Sequence, residues 1–488
     1  MGGIAPDRVV PRDGVALPHA VLLLLAAIAA AVVAQGGYYL HGRLFTGALV
    51  AFALVLALRN RPDAGLLPVA CAALAAWTVL RAVLNGTVTD ALPTVAALGC
   101  LVAAAFVGRR TDVAQRELCA SLLVGVGVLV ALTGWVAVVW RIPSWSVVAD
   151  GLARAASTLT YPNAAAALLA ALAVLALALH TGRPRSLPLA GAVYALVVGV
   201  GATLSRAGLL ALLVGFTALV IFNGVRATLR HAGPAGLGAL VALGALAPSF
   251  PVAEPARPGL ALVGLVAGLV ITLGLSRLTA VLRLIAVVAG FAVAVVAGLL
   301  VHDLGRLLKG RVSTSSPDRT GATGAALDHV AARPLAGTGP GRGWFVFTTP
   351  SGDARVMRYV HNEYLQVLVE LGAVGLGLVL LVLAALAATV WRGRVGAGGA
   401  GGTEGAGGVE GAGGLGEGRA LWAGAAAALV VLLVHSGFDF LWHLPVIVLT
   451  AGLLAGLAGA PTEPGAEPGP EPTAGTPVAA VPTAEENQ

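Results

Sequence analysis

Long apolar runs, separated by short polar or basic breaks, recur along the whole chain. A run of about 17 to 25 apolar residues is long enough to cross a bilayer as a helix. Fourteen such helices are predicted, at 17–35, 44–59, 64–84, 91–108, 119–140, 158–180, 186–204, 206–223, 235–249, 258–275, 279–301, 364–390, 420–438 and 443–459. If 235–249 and its neighbour 258–275 form one re-entrant hairpin, the number falls to twelve. The pattern predicts an all-α, polytopic membrane protein.

The composition is that of a chain that lies mostly in lipid. Hydrophobic residues make up 58% of the 488 residues and charged residues 11%, whereas a soluble domain has about 25% charged residues. The mean hydropathy is +0.90. These values exclude a soluble cytosolic enzyme, a secreted disulfide scaffold and a disordered protein. The three cysteines fit no metal-binding spacing, and we expect them to be small buried hydrophobic residues.

The basic residues predict the orientation in the membrane. All of them except Lys309 are arginines. Heavy arginine, alanine and glycine usage together is typical of a high-GC coding bias, so we infer no nucleic-acid binding from the net charge of +7. If the N-terminus is cytoplasmic, the inner segments hold sixteen arginines and the short outer loops hold six, as the positive-inside rule requires. We therefore expect both termini in the cytoplasm and one long extracytoplasmic loop at 302–360.

The predicted domain organisation is simple. A cytoplasmic segment, 1–16, precedes one membrane domain at 17–460. A glycine-rich cytoplasmic linker at 395–418 and a tail at 461–488, rich in proline and glutamate, should be flexible, since neither can build a core. No clear internal repeat is present, which weakens the case for a transporter built from inverted halves.

Polar residues cluster in five segments that this topology brings to the outer face. They are STLTYPNAAAALLA (157–170), TLSRAGLLALLVG (203–215), DRTGATGAALDHVAARPLAGTGPGRGWF (318–345), RYVHNEYLQVLVELGAVGLG (358–377) and HSGFDFLWHLP (435–445). The mid-span segments are almost bare of charge. The chemistry of the protein is therefore expected at one membrane face.

These segments, in this order, resemble the O-antigen ligase family, also called the O-antigen ligase/polymerase superfamily. The resemblance rests on YPN, SRAG, PLAGTGPG, HNEYLQ followed by ELG, and HSGFDF, and it covers about 157 to 458. It implies a metal-independent, inverting glycosyltransferase of the GT-C type that needs no cofactor. Such enzymes move a glycan from an undecaprenyl pyrophosphate carrier to an acceptor hydroxyl at the outer face of the bacterial cytoplasmic membrane. The implied acceptor is a glycan, a lipid or a protein.

His361 lies where the long loop enters a helix, with Asn362 as the predicted N-cap. The positive end of the helix dipole favours a neutral imidazole, which can accept a proton from an attacking hydroxyl. The residues alone leave a capping or interfacial role open. The resemblance implies a catalytic role, because the family's essential histidine lies in the HNEY-type motif, with Glu363 and Tyr364 in support.

Two arginines are predicted to hold the pyrophosphate. Arg206 lies between two spans, where a charge is costly unless it meets an anion, and its planar fork of donors matches phosphate oxygens. Arg319 begins an amphipathic segment at 319–333, whose predicted apolar stripe is Ala322, Ala326, Leu327 and Val330. The residues alone leave open snorkelling to lipid headgroups for Arg206 and a solvated loop charge for Arg319. The resemblance implies pyrophosphate contact by both, although the family's tryptophan soon after Arg319 is absent here.

The other candidate residues have supporting roles. Tyr161 and Asn163 begin a helix, where Asn163 could orient a sugar or a backbone group. His435, Asp439 and His443 have a spacing that would suit a metal on one helix face, but Pro445 and the nearby span break argue against a continuous helix. We expect no metal here, and we expect Asp439 to pair with an arginine or a histidine.

Two alternatives remain open. A polymerase that joins repeat units would use the same donor and similar chemistry, and nothing in the sequence separates it from a ligase. A transporter or flippase of lipid-linked sugars would instead need ionisable residues within the spans and repeated halves, which the sequence lacks.

Overall fold

A computed structural model describes residues 15–58, 65–300, 317–349, 352–399 and 416–460. Within these ranges the chain forms fifteen α-helices and two antiparallel β-hairpins. Nearly all of the predicted N-terminal segment, most of the glycine-rich linker and the tail lie outside the described residues.

The elements follow one another as a chain of helices with two short insertions. Helices α1 to α5 are His19–Val33, Leu40–Ala57, Leu66–Leu84, Val88–Arg109 and Val113–Val139, and the first hairpin is β1 (Ser146–Ala149) and β2 (Leu152–Ala155). Helices α6 to α11 are Pro162–Gly182, Leu187–Ala202, Arg206–Asn223, Val225–Leu246, Pro258–Ser276 and Ala280–Leu300. The remaining elements are α12 (Pro317–Ala332), β3 (Phe345–Thr348), β4 (Ala354–Met357), α13 (Glu363–Gly399), α14 (Glu417–Ser436) and α15 (Pro445–Ala458).

Ten of these helices are long and apolar enough to cross a membrane, and four shorter apolar helices accompany them. Every predicted span falls on one of these fourteen, which confirms the all-α, polytopic fold. Helices α9 and α10 are each long enough to cross, so their lengths give no support to a re-entrant hairpin. Helix α9 begins at Val225, ten residues before its predicted start at 235. The prediction missed these residues because the first turns of the helix are basic and Pro234 lies inside it.

Helix α6 lies at the centre of the bundle. Of its 18 most apolar residues, 94% are buried inside the protein, whereas the figure for α10 is 22%. A helix that is apolar on all sides can be buried in this way, and its alanines let neighbouring helices approach closely. Gly208 of α8 packs directly on Ala166 of α6, so the first turns of the two helices lie side by side.

A second, smaller core lies under the long loop. Ala322 and Ala326 of α12 pack with Phe345, Val360 and Val369, and Val330 lies partly buried against the same cluster. The prediction of an apolar stripe on α12 was correct for these residues and wrong for Leu327, which is exposed. Leu327 follows Ala326 by one residue, a helical rotation of about 100°, and this turns it away from the buried face.

Helix α13 is broken at Gly372, where φ is 68°. The break leaves carbonyl groups without intrahelical partners, and the glycine-rich loop supplies them. The N–H of Thr338 donates to the carbonyl of Val369 at 2.8 Å, and that of Gly339 donates to the carbonyl of Glu370 at 2.9 Å. A Cβ on Gly372 would collide with the carbonyl oxygen of Leu335, so the loop and the break require each other.

We call the end of the bundle at which α6, α8 and α13 begin the site face, and the end at which α5, α7 and α14 begin the opposite face. Both β-hairpins and α12 lie at the site face, because they connect helices that end or begin there. The five polar segments singled out in the sequence all contribute to this face.

Candidate active site

Three helices begin at the site face two residues after a non-glycine residue in the left-handed conformation. These residues are Thr160 before α6 (φ 59°), Leu204 before α8 (φ 49°) and His361 before α13 (φ 55°). Such conformations cost about 1–3 kcal/mol each and cluster at functional sites. Each one turns the chain sharply so that the first turn of a helix, with its unpaired N–H groups and positive partial charge, is directed at the site face.

Side chains cap two of these helices. The Ser205 hydroxyl accepts a hydrogen bond from the N–H of Gly208 at 3.1 Å, and the Asn362 side chain accepts one from the N–H of Leu365 at 3.1 Å. Ser205 also donates to the Asn163 side-chain oxygen at 2.9 Å, which ties the beginning of α8 to that of α6. The beginnings of α6 and α8 therefore belong to one hydrogen-bond network.

Asp439, in the connection between α14 and α15, is the centre of that network and is fully buried. Its Oδ1 accepts hydrogen bonds from the Tyr161 hydroxyl at 2.5 Å and from His361 Nδ1 at 2.9 Å. Its Oδ2 accepts one from the Asn163 side-chain amide at 2.5 Å, and Arg319 Nη2 lies 3.7 Å from the same oxygen. One carboxylate thus joins four residues from α6, the α12 region and the start of α13.

The electrostatics keep this carboxylate charged. Burial raises the pKa of Asp439, but the hydrogen bonds from His361 and Tyr161 and the charge of Arg319 outweigh burial and hold that pKa below its ordinary value. Burial and the Asp439 carboxylate raise the pKa of Tyr161, so the phenol stays a donor. Because an ionised carboxylate only accepts, Nδ1 of His361 carries a proton and donates a hydrogen bond to Asp439, so Nε2 is the nitrogen that can accept a proton in the neutral ring.

The arginines surround this centre unequally. Arg319 has 39% of its side chain exposed while it faces Asp439. Arg206 is exposed at the first residue of α8, next to Ser205. Both therefore lie at the site face, and Arg319 is the one that the structure places beside Asp439.

Arg154, which the sequence analysis counted only as an outer-loop charge, also belongs to the network. Its guanidinium donates to the Asn163 side-chain oxygen at 3.0 Å and to the carbonyl of Thr203 at 2.9 Å. It lies on β2, and the hairpin was not predicted. The Asp150–Gly151 pair, with φ of 54° and 71°, is a typical signal for a tight hairpin turn and could have indicated it.

The remaining predicted residues hold the α14–α15 connection in place. Glu363 is buried and accepts hydrogen bonds from the backbone N–H of Trp442 and from His443 Nδ1. Tyr364 donates to the carbonyl of Leu433 at 2.9 Å. His435 is fully buried, and neither ring nitrogen has a hydrogen-bond partner among the described residues.

A metal has no obvious place in this arrangement. Helix α14 ends at Ser436, so His435, Asp439 and His443 do not share a helix face. Among the residues that the structure describes, no three His, Cys, Asp or Glu side chains group in a way that could hold a metal ion. Asp439 pairs with His361 and lies near Arg319 instead.

A cavity of about 350 Å³ lies beside the network, between α3, α4, α13, α14 and α15. Glu363, Gln366 and His443 line its end at the site face, and its other walls are almost entirely apolar as far as Trp391 and Trp422. Along α13, the distance from Glu370 to Trp391 is roughly 30 Å, which is the thickness of the hydrocarbon core of a bilayer.

Comparison with known proteins agrees with the resemblance seen in the motifs. Residues 252–380 match the family described as O-antigen ligase. The matched segment contains Arg319 and the HNEY motif, begins after Arg206 and ends before Asp439. No curated protein matches the chain. The match covers about a quarter of the chain, and over this segment the chain is similar to the O-antigen ligase family.

Proposed function

We propose that this protein transfers a glycan from an undecaprenyl-pyrophosphate carrier to an acceptor hydroxyl at the outer face of a bacterial cytoplasmic membrane. The site face is then extracytoplasmic, and both termini are cytoplasmic. The observation that carries the proposal is the buried Asp439, which accepts a hydrogen bond from His361 and lies 3.7 Å from Arg319 where three helices begin. The orientation is the one that the arginine distribution favours.

The arginines and the helix starts suit a diphosphate. Arg319 and Arg206 are directed to the same face as the first turns of α6, α8 and α13, whose N–H groups favour anions. Pyrophosphate is the leaving group, and these positive charges stabilise the negative charge that develops on it as the glycosidic bond breaks. The apolar cavity offers a groove for the polyprenyl tail along the full thickness of the membrane.

His361 acts on the acceptor. Asp439 fixes the tautomer with the proton on Nδ1, so Nε2 takes the proton of the acceptor hydroxyl as its oxygen attacks the anomeric carbon. Attack opposite the leaving pyrophosphate inverts the configuration at that carbon. The donor linkage supplies the free energy, and none of these steps requires a metal or a nucleotide.

The first experiment replaces the base. We expect His361→Ala to insert and fold normally but to lose glycan transfer in membranes supplied with the lipid-linked donor. The matched control is His41→Ala, because His41 is an exposed histidine near the site face that belongs to none of the networks described above. Undiminished product from His361→Ala would remove this histidine from the mechanism.

A repeat-unit polymerase with the same donor is the second candidate, because the chemistry of the site is the same for both. Deletion of the gene separates the two. Loss of a polymerase shortens the surface glycan, whereas loss of a ligase detaches a glycan of full length from its acceptor.

A further inference from the structure

Tyrosines are concentrated around the site. The whole chain has six, and five of them lie at the site face on three separate segments, although aromatic residues make up only 5% of the sequence. These five are Tyr38, Tyr39, Tyr161, Tyr359 and Tyr364. The Tyr38 and Tyr359 hydroxyls lie 3.3 Å apart, so the turn between α1 and α2 meets the segment before α13. A general need for apolar surface would not select aromatic rings with polar tips at one end of the bundle.

Two of these tyrosines, Tyr161 and Tyr359, form a stack with Phe440 that leads outward from Asp439. Tyr161 stacks on Phe440 with ring centres 5.0 Å apart, and Phe440 stacks on Tyr359 at 4.6 Å. The Arg358 guanidinium lies 5.6 Å from the centre of Tyr359 and 5.9 Å from that of Trp344. We call these five residues the aromatic column. Its inner end is buried against Asp439, and Trp344 at its outer end is 55% exposed.

The column and Arg319 contact different oxygens of the Asp439 carboxylate. Oδ2 of Asp439 faces Asn163 and Arg319, whereas Oδ1 faces His361, Tyr161 and the backbone N–H of Phe440. Arg319 therefore lies beside one oxygen of Asp439, and the residues next to the aromatic rings bond to the other. His361 belongs to the aromatic side, since its ring centre lies 5.1 Å from that of Phe440.

We infer that the aromatic column is the acceptor subsite and that the acceptor hydroxyl belongs to a sugar ring. The inference rests on the proposed function. If Arg319 holds the leaving pyrophosphate, the attacking hydroxyl must approach from the opposite side of the anomeric carbon, which is the side of the column.

The chemistry of the column matches a saccharide. A sugar ring has an apolar C–H face, which an aromatic ring can cover, and a rim of hydroxyls that can bond to the Arg358 guanidinium and to tyrosine hydroxyls. An acyclic polyol phosphate or a serine side chain has no such ring face. The column therefore favours a glycan among the acceptor classes that the sequence left open.

The experiment uses the full-length protein in nanodiscs with the lipid-linked donor from the producing cells. The acceptor probes are oligosaccharides released from the surface polysaccharide of those cells, glycerol-phosphate oligomers and a serine-rich peptide. We expect wild-type protein to glycosylate only the oligosaccharides. Trp344→Ala should raise the KM for them roughly tenfold and leave kcat and the donor KM unchanged.

The matched control is Trp140→Ala. Trp140 is also 55% exposed and lies just after α5 at the site face, but it does not belong to the column. If exposed tryptophans here only anchor the protein at the bilayer interface, both variants will behave alike, and this result overturns the inference. Trp344→Phe, which keeps a ring, should restore most of the affinity, and this rescue excludes a folding defect as the cause.

Acceptor length gives a second readout. Tyr359 lies closer to His361 than Trp344 does along the column, so Tyr359→Leu should weaken short and long acceptors, and Trp344→Ala mainly the long ones. Equal acceptor KM values for wild type and both variants would overturn the inference while leaving the transferase activity intact. If wild-type protein transfers no glycan from the lipid-linked donor to any probe or to endogenous acceptors, the proposed function itself fails.

Discussion

Charged residues are buried at both ends of the bundle, but they bond to different partners. At the opposite face, Arg116 is 8% exposed and donates to the carbonyls of Thr111, Leu457 and Gly459. At the site face, Asp439 bonds to the side chains of Tyr161, Asn163 and His361.

The difference follows from helix polarity. Helix α15 ends at the opposite face and presents free carbonyls with negative partial charge, which arginine side chains cap. Arg283 does the same for the end of α10, where it donates to the carbonyls of Leu275, Ser276 and Leu278. The guanidinium groups of Arg116 and Arg283 thus donate to backbone carbonyls. Arg319 instead lies 3.7 Å from Asp439 and keeps an exposed side chain, so burial of charge alone does not mark the candidate active site.

The largest effect is expected at the centre of the network. Asp439→Asn removes the charge that fixes the His361 tautomer, and the loss in kcat should reach about 10³- to 10⁴-fold, measured as glycan transfer per folded molecule. The counterpart at the opposite face is Glu117→Gln, which disrupts the ion pair between the buried Glu117 and the partly exposed Arg183. It should lower thermal stability and leave kcat unchanged. A comparable loss of kcat in both variants would erase the distinction between the two ends.

Arg319→Ala should lower kcat about 10²-fold, because the leaving pyrophosphate loses a stabilising charge. Arg333→Ala is the control, since Arg333 is an exposed arginine directly after α12 and takes no part in the network. Its activity should stay within twofold of wild type at the same ionic strength. If Arg333→Ala costs as much as Arg319→Ala, the loop acts only through its net charge.

Arg116→Met tests the structural end. The substitution leaves four backbone carbonyls without this donor, and the free energy of unfolding should fall by about 2–4 kcal/mol. The measurement is the shift of the thermal midpoint in detergent, with kcat per folded molecule as the companion readout. A normal midpoint combined with lower kcat would assign Arg116 to the chemistry.

The smallest effect concerns pH. Burial lowers the pKa of His443, but the Glu363 carboxylate outweighs it and holds the pKa above the ordinary value of 6.5. Because the folded protein binds this proton more tightly than the unfolded chain, the stabilisation is complete below pH 6.5 and is lost as the pH rises through the raised value. The thermal midpoint should therefore fall between pH 6 and 9 by roughly 1–3 °C more in wild type than in Glu363→Gln. An equal fall in both would exclude this pair as the source.

The sequence predicted the helices well because each apolar run carries its own signal. It also brought the five polar segments to one face, since topology follows from the order of spans. It could not show that Tyr161, Asn163 and His361 converge on Asp439, because these contacts join residues up to 278 positions apart. The break at Gly372 was equally hidden, since an apolar run reads the same through a straight helix and a broken one.

That break has a consequence for how the enzyme meets its membrane. The residues from Glu363 to Leu371 form a separate short helix, with His361 just before its start and the glycine-rich loop bound at its end. Only the segment after Gly372 must adjust when lipid composition makes the bilayer thinner or thicker. His361 thus precedes a short helix that can keep its position while the longer segment tilts, and under the proposed function transfer should proceed at similar rates in short-chain and long-chain lipids.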